Sequence, residues 1–149
     1  MKHLLNAAVL ACVATALSAC SSGDSSSNSG GFTLPTIVTT ETFSGTVDVG
    51  GSAFHPFTVG SSGGTLNVTL TAAGPPPTIF MGLGVGTPSA ATATAAASCP
   101  LLANASLATP AGTTAQLSGT IGPGNYCVSI FDVGNQTAQI SYTVTVSHP

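Results

Sequence analysis

The chain is 149 residues long, 43% hydrophobic and only 3% charged, with one Lys or Arg against four Asp or Glu and a formal net charge of −3. That balance excludes nucleic acid as a partner, because holding phosphates takes Lys and Arg side chains that displace counterions. It also excludes a fold knitted by Lys or Arg salt bridges, while 18 Gly and 10 Pro point to many turns.

Lys2 and His3 make a short basic start, residues 4–17 are almost wholly apolar, and small residues precede Cys20. This is the layout of a secretory signal. The apolar run is short for a membrane span, and the polar residues 21–29 follow at once, which argues against one. An ordinary signal peptide that happens to end in Cys is the remaining alternative, and Cys12 leaves too little apolar run to be the cleavage point. Leu17-Ser18-Ala19-Cys20 resembles the lipobox of bacterial lipoproteins. The resemblance implies removal of residues 1–19, a diacylglyceryl thioether on Cys20, and acylation (palmitate, for example) of the new amino group. Two or three such chains bind a bilayer far better than one, since each buried methylene contributes about 0.8 kcal/mol. In the sorting pattern of many Gram-negative lipoproteins, Asp after the lipidated Cys retains the protein at the inner membrane. Ser21 in that place implies the outer membrane.

Without Lys2 the chain carries Asp24, Glu41, Asp48 and Asp132 and no Lys or Arg. Residues 21–31 are nearly all Ser, Gly, Asn and Asp, which bury too little apolar surface to offset the entropy of ordering. They read as a flexible tether, and residues 32–40, more apolar and interrupted by Pro35, read as its extended continuation or as a lead-in that packs on the domain; the linker is favoured, so that it runs over residues 20–40. Residues 41–149 are enough for one domain with one core.

From Glu41 onward the apolar period is two, the signature of strands with one face buried. Phe43, Gly45, Val47 and Val49 alternate with Thr42, Ser44, Thr46 and Asp48, and Gly50-Gly51 turns the chain. Residues 53–59 form a second strand with Phe57 and Val59 inward and Pro56 marking an edge or a bulge. After a Gly/Ser turn at residues 60–64, residues 65–71 place Leu66, Val68 and Leu70 on one side. Gly74-Pro75-Pro76-Pro77 stops regular structure. Residues 79–85 resume, with Ile79, Met81, Leu83 and Val85 on one face and Phe80, Gly82 and Gly84 on the other, where bare glycines imply something lying close above. Residues 87–98 mix Ala with poor helix formers and show no apolar stripe, so they read as loop. Residues 101–109 form a strand with Leu101, Ala103, Ala105 and Leu107 inward, and residues 113–121 one with Ala115, Leu117 and Ile121 on one face. Residues 126–133 alternate Tyr126, Val128 and Ile130 with Cys127, Ser129 and Phe131. Gly134-Asn135 is a hairpin signal. The last strand sets Ala138, Ile140, Tyr142, Val144 and Val146 inward against rows of Thr, Ser and Gln. About eight short strands and no helix make an all-β sandwich.

Several phrases together resemble the bacterial pre-peptidase C-terminal domain: Phe43-Ser44-Gly45-Thr46-Val47, Phe57-Thr58-Val59 with its Gly-rich turn, Leu66-Asn67-Val68-Thr69-Leu70, Gly122-Pro123-Gly124-Asn125-Tyr126-Cys127-Val128-Ser129-Ile130, and Tyr142-Thr143-Val144-Thr145-Val146. The resemblance spans roughly residues 41–147. It implies a jelly-roll-like β-sandwich, used in that family as an accessory or binding module on secreted enzymes, with calcium bound in some members. Here no protease is attached, and the acidic cluster of those calcium sites is missing.

Cys99 and Cys127 sit in what the leader marks as an oxidising compartment, which makes them a disulfide pair. A redox or metal role is the competing reading, weakened by the lack of CxxC spacing and of a nearby His. Asp48, Asp132 and Asn135 lie at turns and could offer oxygen to calcium, although Asx residues at turns usually bond their own backbone. His55 and His148 could form a metal pair or supply a general base, or simply be surface residues. No Ser stands in a G-x-S-x-G elbow. The expectation is therefore a lipid-anchored envelope protein with no enzymatic activity and no cofactor, acting by binding or as a structural surface module, with a protein or glycan as partner. The alternatives are calcium- or carbohydrate-dependent recognition and a small secreted hydrolase.

Overall fold

The structure, a computed structural model, describes residues 37–149. The signal, Cys20 and the tether up to residue 36 lie outside the described residues. Among those described, no helix is long and apolar enough to cross a membrane.

Eight strands follow one another: β1 (Thr39–Val47), β2 (Ser52–Val59), β3 (Gly64–Gly74), β4 (Met81–Gly86), β5 (Leu101–Thr109), β6 (Leu117–Ile121), β7 (Gly124–Phe131) and β8 (Ile140–His148). They form two four-stranded sheets, ordered β1-β8-β3-β6 and β2-β7-β4-β5, with every pairing antiparallel. This is an eight-stranded jelly roll. Its logic is a single long hairpin: β1 pairs β8, β2 pairs β7, β3 pairs β6 and β4 pairs β5, and the nesting continues through the Ser89↔Ser98 bridge. It ends at a turn where Thr92 donates its N–H to the Ala95 carbonyl. Folding that ribbon over brings β8 beside β3 and β7 beside β4, which makes the two sheets.

The inner faces meet in one core built from the expected alternation. Val68, Leu70, Met81, Leu83, Val128, Ile130, Val144 and Val146 are all fully buried. Burying one such side chain contributes about 1.5–3 kcal/mol relative to leaving it exposed. The glycines of β4 are explained by what covers them. A Cβ on Gly82 would run into the Phe131 ring, and one on Gly84 would lie 2.9 Å from Leu101 Cδ2. At Gly86 the obstacle is the Pro100 carbonyl. Pro56 lies in β2, an edge strand, as its missing amide requires.

Several expectations are corrected. The linker ends earlier than residue 40, since Thr39 and Thr40 already pair with His148 and Ser147. Val49 is exposed, because β1 stops at Val47 and the chain turns at Asp48. Leu101 points outward over Gly84 rather than into the core. The cause is Asn104, whose φ of 59° sits at a register shift between β4 and β5 that reverses the alternation. Ala115 is exposed and β6 starts only at Leu117. The preceding Gln116 turns inward, where its Oε1 accepts the Leu70 N–H at 2.8 Å beside the bulge in β3. Gly134-Asn135 does not close a hairpin, because β7 and β8 belong to different sheets, and Ala138 lies in the exposed crossing between them.

Candidate functional site

Continuing the period of two past the obvious apolar residues places three polar side chains at inward positions: Glu41 two before Phe43, His55 two before Phe57, and His148 two after Val146. All three lie along the side of the sandwich where β1 and β2, edge strands of opposite sheets, face each other. His148 is only 3% exposed. Its Nε2 lies 3.0 Å from Glu41 Oε1, and its Nδ1 lies 3.0 Å from the Pro149 carbonyl oxygen. The Phe57 ring packs on it at 5.2 Å between centroids.

His55 is part-buried, stacked on Phe43 with centroids 4.7 Å apart and planes within 6°, and bonded through Nε2 to the Tyr142 hydroxyl at 2.8 Å. Gly45 gives that hydroxyl its room, since a Cβ there would approach the oxygen to 2.7 Å. Burial lowers the His55 pKa below its ordinary value, and burial likewise raises that of Tyr142. Both imidazoles are thus packed side chains rather than surface ones, and they do not converge on a shared ligand. The signal for their burial was present in the sequence as strand parity.

At the end of the sandwich where β1 begins and β8 ends, an open groove of about 670 Å³ holds the Glu41–His148 pair. Phe57, Pro56 and Pro88 form apolar walls, and Thr39, Thr58 and Asn125 stand at its rim. Thr58 Oγ1 donates to Asn125 Oδ1 at 3.0 Å. A smaller cleft of about 200 Å³ lies between β5 and β6, lined by Leu66, Val85, Leu102 and Leu117 among others.

The calcium candidates are placed at the opposite end. Asp132 Oδ2 accepts the Gly50 N–H at 2.8 Å, and its Oδ1 accepts those of Gly134, Asn135 and Gln136 at 2.8, 3.1 and 3.3 Å. The Gly50 amide foremost, then the other three, holds the Asp132 carboxyl below its ordinary range. Asp48 Oδ1 accepts from Gln139 Nε2 at 2.7 Å. A cation here would have to displace amide bonds that organise two turns at once. Among the described residues, no group of three or more His, Cys, Asp or Glu side chains comes together.

Cys99 and Cys127 are joined, with S–S 2.03 Å and Cα–Cα 6.0 Å. The bond ties the arm leading out of the hairpin tip to β7, beside Gly86. Gln136 is buried, with Nε2 3.2 Å from Met81 Sδ and an Oε1 left without a hydrogen-bond partner.

No family model matches the chain, and no curated protein matches it. A solved structure similar to it is that of PliG from Aeromonas hydrophila, a periplasmic inhibitor of g-type lysozyme. The two are 15% identical, the match covers 74% of this chain and 86% of that one, and the TM-score is 0.43.

Proposed function

We propose that the chain is a lipid-anchored module of the bacterial cell envelope, outer membrane by the residue after Cys20, that acts by non-catalytic binding through the Glu41–His148 groove. The observation that carries the reading is the Glu41 carboxylate, held in place by His148 in a concavity whose other side chains are apolar or polar without charge. The geometry suits holding rather than proton transfer. A general base needs a nitrogen free to take a proton within reach of substrate. Both ring nitrogens of His148 are already engaged, and the ring is buried. The motif resemblance to pre-peptidase C-terminal domains, which serve as accessory binding modules, supports the same reading.

A second reading has its own observation. The outward positions of the β1-β8-β3-β6 sheet carry Thr40, Thr42, Ser44 and Thr46 on β1, Ser141, Thr143, Thr145 and Ser147 on β8, Thr65, Asn67 and Thr69 on β3, and Ser118 and Thr120 on β6. Some hydroxyls bond one another, as Ser44 Oγ and Thr143 Oγ1 do at 3.0 Å. An uncharged hydroxyl face of this kind suits a neutral glycan.

The test is photocrosslinking in cells, with a photoreactive residue at Thr39 on the groove rim or at Thr42 on the hydroxyl face of the full-length protein. A discrete adduct from Thr39 and none from Thr42 is expected, with the protein in the membrane fraction and a Cys20→Ala variant released from it. Adducts from Thr42 alone would transfer the role to the sheet face. An unmodified Cys20 in the native protein, or no adduct from either position, would overturn the proposal.

A further inference from the structure

We propose that the groove receives a cationic side chain, the ammonium of a lysine or the guanidinium of an arginine presented by a basic protein partner, with Glu41 as its counter-charge. This deepens the groove reading above and rests on it. Residues 37–149 contain Glu41, Asp48 and Asp132 and no Lys or Arg, so the domain holds no guanidinium or lysine ammonium of its own to compete. The three carboxylates are not equivalent. Asp132 spends both oxygens on four amides, and Asp48 stands on an exposed turn bonded to Gln139. Of these three side chains only that of Glu41 lines a concavity. Its Oε1 is held by His148, its side chain is 35% exposed, and among the described residues Oε2 makes no hydrogen bond.

A carboxylate fixed from behind by a buried ring has little conformational freedom left to lose on binding, which lowers the entropic cost of taking a partner. The rest of the groove matches the remainder of such a side chain. Phe57, Pro56 and Pro88 offer apolar surface to the methylene stem, as lysine and arginine stems require. Thr39, Thr58 and Asn125 offer oxygens to N–H groups that Glu41 leaves unpaired. The opposite charge also steers a basic partner toward this face.

The experiment records amide and nitrogen chemical shifts of the full-length lipidated protein in detergent micelles. The probes, at millimolar concentration, are N-acetyl-lysine methylamide, N-acetyl-arginine methylamide and the neutral N-acetyl-norleucine methylamide. The two cations should move the signals of Thr39, Glu41, Thr58 and Asn125, and norleucine should not. Binding should weaken by at least about tenfold in Glu41→Gln, as expected for losing one charge-assisted hydrogen bond. It should weaken similarly in Thr39→Lys, an exposed position whose new ammonium would occupy the site. Equal response to norleucine, or unchanged binding in both variants, would overturn the inference. So would groove signals that follow chitooligosaccharide or protein dilution instead of the cations, which would make the occupant a glycan or a second copy while the groove remained a binding site. Failure of the groove itself would show separately, as the absence of any crosslink from Thr39.

Discussion

The base of the hairpin ribbon, where β1 meets β2, and its tip, where β4 and β5 run into residues 87–100, are held by different means. At the base, residues far apart in the chain interlock through large side chains: Phe43 on His55, His55 on Tyr142, Phe57 on His148. At the tip the chain offers mainly Ala, Thr, Ser and Gly, and the glycine face of β4 is covered by Phe131, Leu101 and an arm fastened by the Cys99–Cys127 bond. Where bulky residues are available, packing closes the sandwich and leaves polar groups such as Glu41 poised beside it. Where they are not, a covalent link substitutes for packing.

The sharpest way to break this contrast is to remove the link. Cys99→Ala together with Cys127→Ala opens a loop of sequence separation 28, and chain entropy puts the loss at about 3.5 kcal/mol. Urea unfolding should register that loss while the signals of Phe43 and Tyr142 stay native. A loss near zero would mean that the tip is held by packing after all. Next in size is Gly82→Val, which drives a side chain into the Phe131 ring and should cost about 1–3 kcal/mol. Adding Phe131→Ala should recover part of it, and failure to recover would place the clash elsewhere.

At the base, Tyr142→Phe deletes the bond to His55 and should cost about 0.5–1.5 kcal/mol in thermal or urea unfolding. The smallest effect is on the pH profile. Burial holds the His55 pKa below 6.5, so the folded state takes up its proton less readily than the unfolded chain. The stability this contributes is complete above 6.5 and is lost as pH falls toward the lowered folded value. Asp132, held below 3.8, acts in the same direction at lower pH, its contribution present above 3.8 and lost as pH falls through the folded value. The urea midpoint should fall in two windows on acidification. His55→Phe should flatten the upper one and Asp132→Asn the lower, and a profile unchanged by either variant would remove these groups from the account.

Much of the site was legible in the same pattern that revealed the strands. Counting by twos from Phe43, Phe57 and Val146 reaches Glu41, His55 and His148, yet the histidines read most simply as surface residues and Glu41 only as the start of the first strand. Parity outranks side-chain chemistry in a strand whose neighbours on both sides are buried, because one residue cannot face outward without a bulge. The converse case is Leu101, whose apolar character suggested core. There a bulge does occur, around Asn104, and parity changes hands. Asp132 was legible as a turn residue that bonds backbone, but that its carboxylate would join the β1–β2 turn to the β7–β8 crossing depended on two loops about 80 residues apart meeting in space.

From the sequence alone came the all-β class, the approximate place of each strand, most of the inward rows, the covered glycine face and the pairing of Cys99 with Cys127, since these follow from local alternation, turn chemistry and the number of thiols beyond the leader. The resemblance added the jelly-roll-like sandwich, and only the tertiary structure decided which strands share a sheet and that Glu41 and His148, 107 positions apart, lie 3.0 Å from each other at the mouth of a groove. Alternation fixes which way a side chain points but not which strand lies across from it. That choice is made by how a long hairpin wraps to bury both of its apolar faces at once.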